Sequence, residues 1–214
     1  MAMAVLTVNC LEVANRRNAQ RPLPRRYSID HLSFAVDQSE RVLILGGAGA
    51  GKDTLYAAIH SRLPGVEIAD GYELLDPLAD LDAAKNFTPA QLLVANGFLT
   101  RDQVADASGR LVDPLAPRHW DILRQAAEAG ATFVAMAEID KLESDKISRF
   151  SRKIVIDEGR LIADSGTECF HQDLADWIDR YARERYQCLR KDSRMLWERL
   201  QLPVRHHDWL TGRL

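Results

Sequence analysis

Residues 46–54 have the composition and spacing of a phosphate-binding loop. The run G-x-x-x-x-G-K is complete, four apolar residues before it predict a buried strand, and Lys52 begins a predicted helix. Backbone N–H groups of such a turn can hold a β-phosphate while the lysine ammonium reaches the β- and γ-oxygens. The residues predicted to contact a nucleotide, ATP or ADP, are Gly46, Gly47, Ala48, Gly49, Ala50, Gly51, Lys52, Asp53 and Thr54.

The residue after the lysine departs from the usual loop. A hydroxyl is expected there as a magnesium ligand, but the chain has Asp53, and Thr54 follows one position later. A carboxylate can ligate Mg²⁺, so Asp53 is a predicted metal ligand. Its negative charge would also repel a γ-phosphate in a dry site, at a cost of several kcal/mol. Nucleotide binding and nucleotide hydrolysis are therefore separate questions for this chain.

Length and composition fit an ordinary globular domain. The chain has 214 residues, 46% of them hydrophobic and 28% charged, with a formal net charge of −3. This charge argues against generic nucleic-acid binding. No apolar run approaches the roughly 18 residues that span a bilayer, and residues 1–6 lack the basic region of a signal peptide. We expect a cytoplasmic protein, with a peripheral place on the inner face of the membrane if its partner is embedded there.

Strands alternate with helices along most of the chain. Such alternation around a phosphate loop predicts an α/β fold with a mostly parallel sheet flanked by helices, preceded by antiparallel N-terminal strands. Strands are predicted over residues 5–13, 27–36, 42–45, 66–69, 132–137, 153–157 and 160–163, and helices over residues 52–60, 89–99, 117–129, 141–149 and from 173 onward.

Three stretches together resemble the ATP-binding subunit of an ABC transporter, a P-loop NTPase. They are residues 29–36, the loop 46–54 and the ending 151–166. The short length and helical ending look most like the subunits of capsular-polysaccharide and O-antigen exporters. The resemblance implies an ATPase-like domain over residues 1–166 and a helical extension over 167–214. The helical subdomain of the family would be reduced here to residues 65–100, without its signature sequence.

The resemblance also implies which catalytic groups are replaced. In the family, an apolar strand ends in the Walker B aspartate, a glutamate follows to polarise the attacking water, and a later histidine holds the γ-phosphate. Counting from Asp113 of a D-loop-like segment matches these three positions to Asp106, Ala107 and Glu138. Asp106 would then be the second magnesium ligand. Loss of the base and of the histidine predicts weak hydrolysis or none.

The resemblance implies partners as well: a membrane-embedded permease or a second ATPase subunit, in a homo- or hetero-oligomer. Two alternatives stay open on sequence alone. Small P-loop kinases also place a threonine two positions after the lysine, so a phosphotransferase is one. A structural subunit whose Asp53 keeps the loop empty of nucleotide is the other. Residues beyond Arg185 are predicted to make an oligomer or partner contact, because long charged helices need to bury an apolar stripe.

Overall fold

The structure is a computed structural model that describes residues 3–14, 27–47, 49–79, 86–98, 104–105, 111–112, 116–138, 149–173 and 175–177. In chain order its elements are β1 (Ala4–Ala14), β2 (Tyr27–Asp37), β3 (Arg41–Gly46), α1 (Lys52–His60), β4 (Val66–Ile68), β5 (Glu73–Leu75), β6 (Gln91–Asn96), β7 (Val104–Ala105), β8 (Leu111–Val112), α2 (Ala116–Glu128), β9 (Thr132–Glu138), β10 (Arg152–Asp157) and β11 (Arg160–Asp164).

A six-stranded sheet forms the centre of the fold. Its strand order is β11-β10-β3-β9-β6-β5, and every neighbouring pair is parallel except β10 and β11. A second sheet of order β2-β1-β4 is antiparallel throughout. The short strands β7 and β8 pair with each other in a two-stranded ladder.

Alternating side chains of the central strands build a core on each face of the sheet. On one face Val42 and Ile44 of β3 pack with the small antiparallel sheet and with Leu55 and Ile59 of α1. On the other face Leu43 and Leu45 pack against α2, which presents Ile122, Leu123 and Ala126. Strands covered on both faces read as unbroken apolar runs, which explains the sequence of β3.

The predicted fold class is confirmed: a mostly parallel α/β sheet follows antiparallel N-terminal strands. The helix predicted over residues 89–99 is wrong, because residues 91–96 form the buried strand β6. Among the described residues of the segment 65–100, only strands and turns occur, so the predicted helical character of that segment is not found there. A run of four apolar residues fits a buried helix or a buried strand equally well, and here the Asn-Gly pair after it marks the end of a strand.

The described part of the C-terminal segment becomes helical after a short turn and packs on the main domain through Phe170 and Trp177. Residues 170–173 and 175–177 are helical. Trp177 is buried, and its indole N–H donates to the Asp157 carboxylate at 3.2 Å. The helix predicted over residues 141–149 and the extension beyond residue 177 lie outside the described residues, apart from Arg149. No helix in the described part of the chain is long and apolar enough to cross a membrane.

Candidate nucleotide-binding site

Four strands of the central sheet end at the same edge as the predicted phosphate loop. β3, β6, β9 and β10 are parallel neighbours, so their carboxyl ends meet at this edge. β3 ends at Gly46, and α1 begins at Lys52 immediately after the loop. Ligands of open α/β sheets bind outside the carboxyl ends of the strands. The topology therefore places residues 46–54 where a ligand would be expected.

Lys52 folds back over the loop that precedes it. Its ammonium donates to the carbonyl oxygens of Gly46 and Gly47, each at 2.8 Å, and the side chain is buried. Gly47 also accepts from the N–H of Ala50 at 3.2 Å, which closes the turn. Ala48 lies outside the described residues. Two of the groups that hold this ammonium beside the glycine loop are therefore neutral carbonyls, which a phosphate can replace.

Neighbouring backbone fixes the loop from behind. Gly51 precedes α1 in a left-handed conformation, with φ of 104°, and a Cβ there would lie 2.8 Å from the Ser28 carbonyl oxygen. Gly159, in the turn between β10 and β11, donates its N–H to the Ala50 carbonyl at 2.9 Å. The carbonyl of Gly159 accepts from the backbone N–H of Asp30 at 3.0 Å. Two backbone hydrogen bonds therefore connect β2, the β10–β11 turn and the phosphate loop.

Asp53 turns toward the end of β6. It lies exposed in the first turn of α1, and one carboxylate oxygen accepts from the Asn96 side-chain amide at 2.8 Å. Sequence reasoning missed Asn96 because residues 89–99 were predicted to be helical. The Asn-Gly pair after an apolar run was the signal that could have identified it.

β6 has the buried apolar sequence that the family resemblance implies for the strand before a Walker B aspartate. Leu92, Leu93, Val94 and Ala95 are buried, and Asn96 ends the strand beside the phosphate loop, with Gly97 following. Asp106 and Ala107, the positions assigned by counting, lie outside the described residues. The strand before them, β7, pairs with β8 in a separate ladder. The structure thus offers Asn96 and Gly97 as a second candidate pair for the Walker B aspartate and its glutamate.

Glu138 ends β9 next to the start of the loop. It is the parallel register partner of Gly46, and its side chain is half-buried. The position matched to the switch histidine therefore does lie at the ligand edge of the sheet. A carboxylate there cannot donate a hydrogen bond to a phosphate oxygen as an imidazole N–H can.

Two other acidic residues that follow apolar runs have structural partners. Asp157 ends β10 and accepts from Trp177, as described above. Asp76 follows β5 and accepts from the Tyr56 hydroxyl at 2.7 Å and from the Leu78 N–H at 2.8 Å. Burial, together with the Asp76 carboxylate, raises the pKa of Tyr56 to about 12. In the described part of the chain, no three His, Cys, Asp or Glu side chains gather as a ready-made metal site.

Comparison with known proteins supports a similarity to ATP-binding cassettes. The chain matches no protein-family model. It is 31% identical over 172 residues to the hemin import ATP-binding protein HmuV of Nocardia farcinica, an alignment that covers 76% of this chain and 59% of that protein. The chain therefore spans less than two thirds of the length of this relative.

Solved structures show the same fold. MJ1267, an ATP-binding cassette of an ABC transporter, superposes with a TM-score of 0.51 at 13% identity, over 81% of this chain and 96% of that one. A bacterial Atm1-family ABC exporter with ATP bound gives a TM-score of 0.50 at 14% identity, over 95% of this chain and 43% of that one. At such identities the likeness concerns the fold alone.

Proposed function

We propose that this chain, which has the α/β P-loop NTPase fold of ABC-type ATP-binding cassettes, is a nucleotide-binding subunit of a transporter. It holds ATP or ADP with magnesium and hydrolyses ATP slowly or not at all. The observation that carries the proposal is the position of the Lys52 ammonium, 2.8 Å from two carbonyl oxygens of a glycine loop at the ligand edge of the sheet.

The loop combines the features that bind a phosphate. The N-cap residue of α1, Gly51, makes no side-chain cap hydrogen bond, and the positive end of the helix dipole lies at the loop, where it favours an anion. Lys52 adds a positive charge, and two of the acceptors of its ammonium are neutral carbonyls, those of Gly46 and Gly47. A phosphate oxygen is a stronger acceptor for an ammonium than a carbonyl, because the hydrogen bond is then charged at both ends. Transfer of the ammonium from the loop to the ligand is therefore favourable.

The residues near the loop also fit a magnesium ion. Mg²⁺ takes oxygen ligands, usually one or two protein groups together with phosphate and water. The Asp53 carboxylate supplies one such ligand. The side-chain amide of Asn96, if flipped so that its oxygen replaces its nitrogen, supplies another. When bound, the ion would neutralise charge on the phosphates. This pair adds Asn96 to the metal ligands proposed from sequence, Asp53 and Asp106.

Weak hydrolysis follows from the side chains at the catalytic positions. On the assignment to β6, Gly97 stands where the family has its glutamate, and on the assignment by counting the residue is Ala107. Neither side chain can accept a proton from water. Glu138 replaces the histidine on either assignment. General acid–base groups typically contribute about 10² to 10⁴ in rate, so their loss leaves binding without efficient turnover.

Calorimetric titration with Mg·ATP tests the proposal. Wild type should bind Mg·ATP. Lys52→Ala should bind at least tenfold more weakly, because it loses the charge-assisted hydrogen bond from the ammonium to the phosphate. Lys153→Ala, which removes a lysine on β10, is the matched control and should bind as wild type does. Absence of binding at millimolar nucleotide would support the structural-subunit alternative. Transfer of phosphate to a nucleoside monophosphate would support the phosphotransferase alternative.

Partners and cargo form a further part of the proposal. We place the subunit on the cytoplasmic face of a membrane-embedded permease or beside a second ATPase subunit, and divide the chain into a domain over residues 1–166 and an extension over 167–214. Removal of the residues after Arg185 should change the oligomeric mass measured by light scattering. An unchanged mass would argue against a role of this segment in assembly.

For the cargo we propose polysaccharide export, because the helical segment predicted after Gly166 resembles the subunits of capsular-polysaccharide and O-antigen exporters. The relative from Nocardia farcinica is named for hemin import. Cells that lack the protein should lose surface polysaccharide and retain hemin uptake. The opposite result would reassign the subunit to import.

A further inference from the structure

Charged side chains of both signs surround the phosphate loop. Lys52 brings a positive charge, and Asp53 directly after it brings a negative one. Glu138, the register partner of Gly46, adds a second carboxylate at the same edge of the sheet. The described residues of this edge therefore offer an incoming nucleotide no excess of positive charge. A nucleotide without metal carries several negative charges on its phosphates.

We propose that Asp53 makes nucleotide binding at this loop dependent on a divalent cation. Without the cation, the carboxylate repels the phosphates and cancels the attraction of Lys52. With the cation, the same carboxylate becomes a ligand, and the ion connects it to the phosphate oxygens. Metal and nucleotide then bind with positive coupling. This inference rests on the proposed nucleotide-binding function and adds its regulation.

The contacts of Asp53 support this role. Its carboxylate is exposed and is held 2.8 Å from the amide nitrogen of Asn96, a neutral donor that leaves the charge in place. An arginine or lysine partner would have neutralised it. The hydrogen bond also directs the carboxylate toward the end of β6, at the sheet edge beside the loop. The charge is therefore fixed near the ligand and open to a cation.

The size of the effect can be bounded. Coupling between two ligands of one protein is typically about 5- to 150-fold in affinity. Asp53 is exposed, and water and salt screen its charge. We therefore expect a dissociation constant about tenfold or more higher without metal than with it. Removal of the charge should remove most of this ratio.

The test measures binding of a fluorescent ATP analogue at equilibrium, in excess EDTA and in excess Mg²⁺, without any readout of hydrolysis. Asp53→Asn keeps the shape of the side chain and removes its charge. In EDTA this variant should bind more tightly than wild type by about tenfold. In Mg²⁺ it should bind equally or more weakly. Asp121→Asn, on α2 at the opposite face of the sheet, removes the same charge elsewhere and should keep the wild-type ratio.

The possible outcomes separate this inference from the proposed function. If wild type binds nucleotide equally with and without Mg²⁺, the function stands and the metal dependence is wrong. If Asp53→Asn keeps the full wild-type ratio, the dependence has another source and Asp53 is not responsible. If wild type binds under neither condition while circular dichroism shows that it is folded, the nucleotide-binding function itself fails.

Discussion

The Asn96 amide donates to the Asp53 carboxylate at 2.8 Å and so connects the end of β6 to the first turn of α1. In the family resemblance, a hydroxyl follows the lysine and an aspartate ends the neighbouring apolar strand. On the assignment to β6, this chain has the carboxylate on the helix and the neutral group on the strand. The family pattern and this chain therefore each have one carboxylate at these two positions, but the family has it on the strand and this chain has it on the helix.

A second carboxylate at this pair should make stability depend on magnesium. Asn96→Asp places two like charges in contact and costs on the order of 1 kcal/mol, or about 2–4 °C in Tm for a domain of this size. We expect the Tm of Asn96→Asp to lie below that of wild type in EDTA and to recover in Mg²⁺ without nucleotide. Asn96→Ala removes the hydrogen bond without adding charge and should show no recovery. Equal melting of Asn96→Asp in both buffers would argue against a cation site here.

The turn behind the loop should tolerate no side chain. A Cβ at Gly159 would lie 2.5 Å from the Ser28 carbonyl oxygen, and its φ of 80° is also unfavourable for alanine. We expect Gly159→Ala to lower the free energy of unfolding by about 2 kcal/mol or more in urea titrations. Gly71→Ala is a matched control, because φ there is 83° and nothing lies within 4 Å. The free energy of unfolding of Gly71→Ala should fall by only about 1 kcal/mol. Similar losses in the two variants would mean that close packing at Gly159 is unimportant.

Arg152 should contribute strongly to the stability of the junction between the two sheets. Its guanidinium makes a bidentate contact with the buried Asp164, at 2.7 and 2.5 Å, and donates to the Ala35 carbonyl at 2.7 Å. The Asp164 contact raises the pKa of Arg152. Arg152→Met leaves the buried Asp164 carboxylate without its arginine partner. This should lower the free energy of unfolding, measured by chemical denaturation, by about 3–5 kcal/mol.

A surface arginine provides the comparison for Arg152. Arg124 pairs with Asp121 and Glu128 on the exposed face of α2, each at 3.3 Å. Arg124→Met should change stability by less than about 1 kcal/mol. If both arginine variants lose the same free energy of unfolding, the buried pair stabilises the protein no more than the surface pair does.

His31 should make stability depend on pH. Its imidazole contacts Asp30 and Glu12, each at 2.7 Å, and the hydrogen bond to Asp30 is the main cause that raises the pKa of His31. A raised pKa in the folded state means that the stabilisation is complete below the ordinary histidine pKa of about 6.5 and is lost as pH rises through the folded value.

His31→Asn isolates this charge. The backbone at residue 31 is left-handed, with φ of 53°, and asparagine accepts that conformation well. In urea titrations, wild type should exceed His31→Asn in stability by more at pH 5 than at pH 9. A constant difference across this range would show that protonation of His31 makes no contribution.

The sequence predicts much of this fold because its strongest signals are local. The phosphate loop, the apolar strand before it and Lys52 are contiguous, so their arrangement follows from chain order. The partnership of Asp53 and Asn96 is different, because 43 positions separate the two residues. It depends on β6 lying two strands from β3 in the sheet, a relationship that neither periodicity nor spacing encodes. Glu138 was placed by counting from the family pattern, and it does end a strand beside the loop.

The most direct test of the central claim follows the fate of bound ATP. The protein is mixed with a limiting amount of labelled ATP and Mg²⁺, the complex is separated from free nucleotide at intervals, and the bound nucleotide is identified. A loop that binds the triphosphate without efficient catalytic groups predicts that the bound label remains ATP over many minutes and that Lys52→Ala retains much less of it than wild type does. Rapid conversion of the bound label to ADP and phosphate would contradict the claim of weak hydrolysis, and no bound label would contradict the claim of binding.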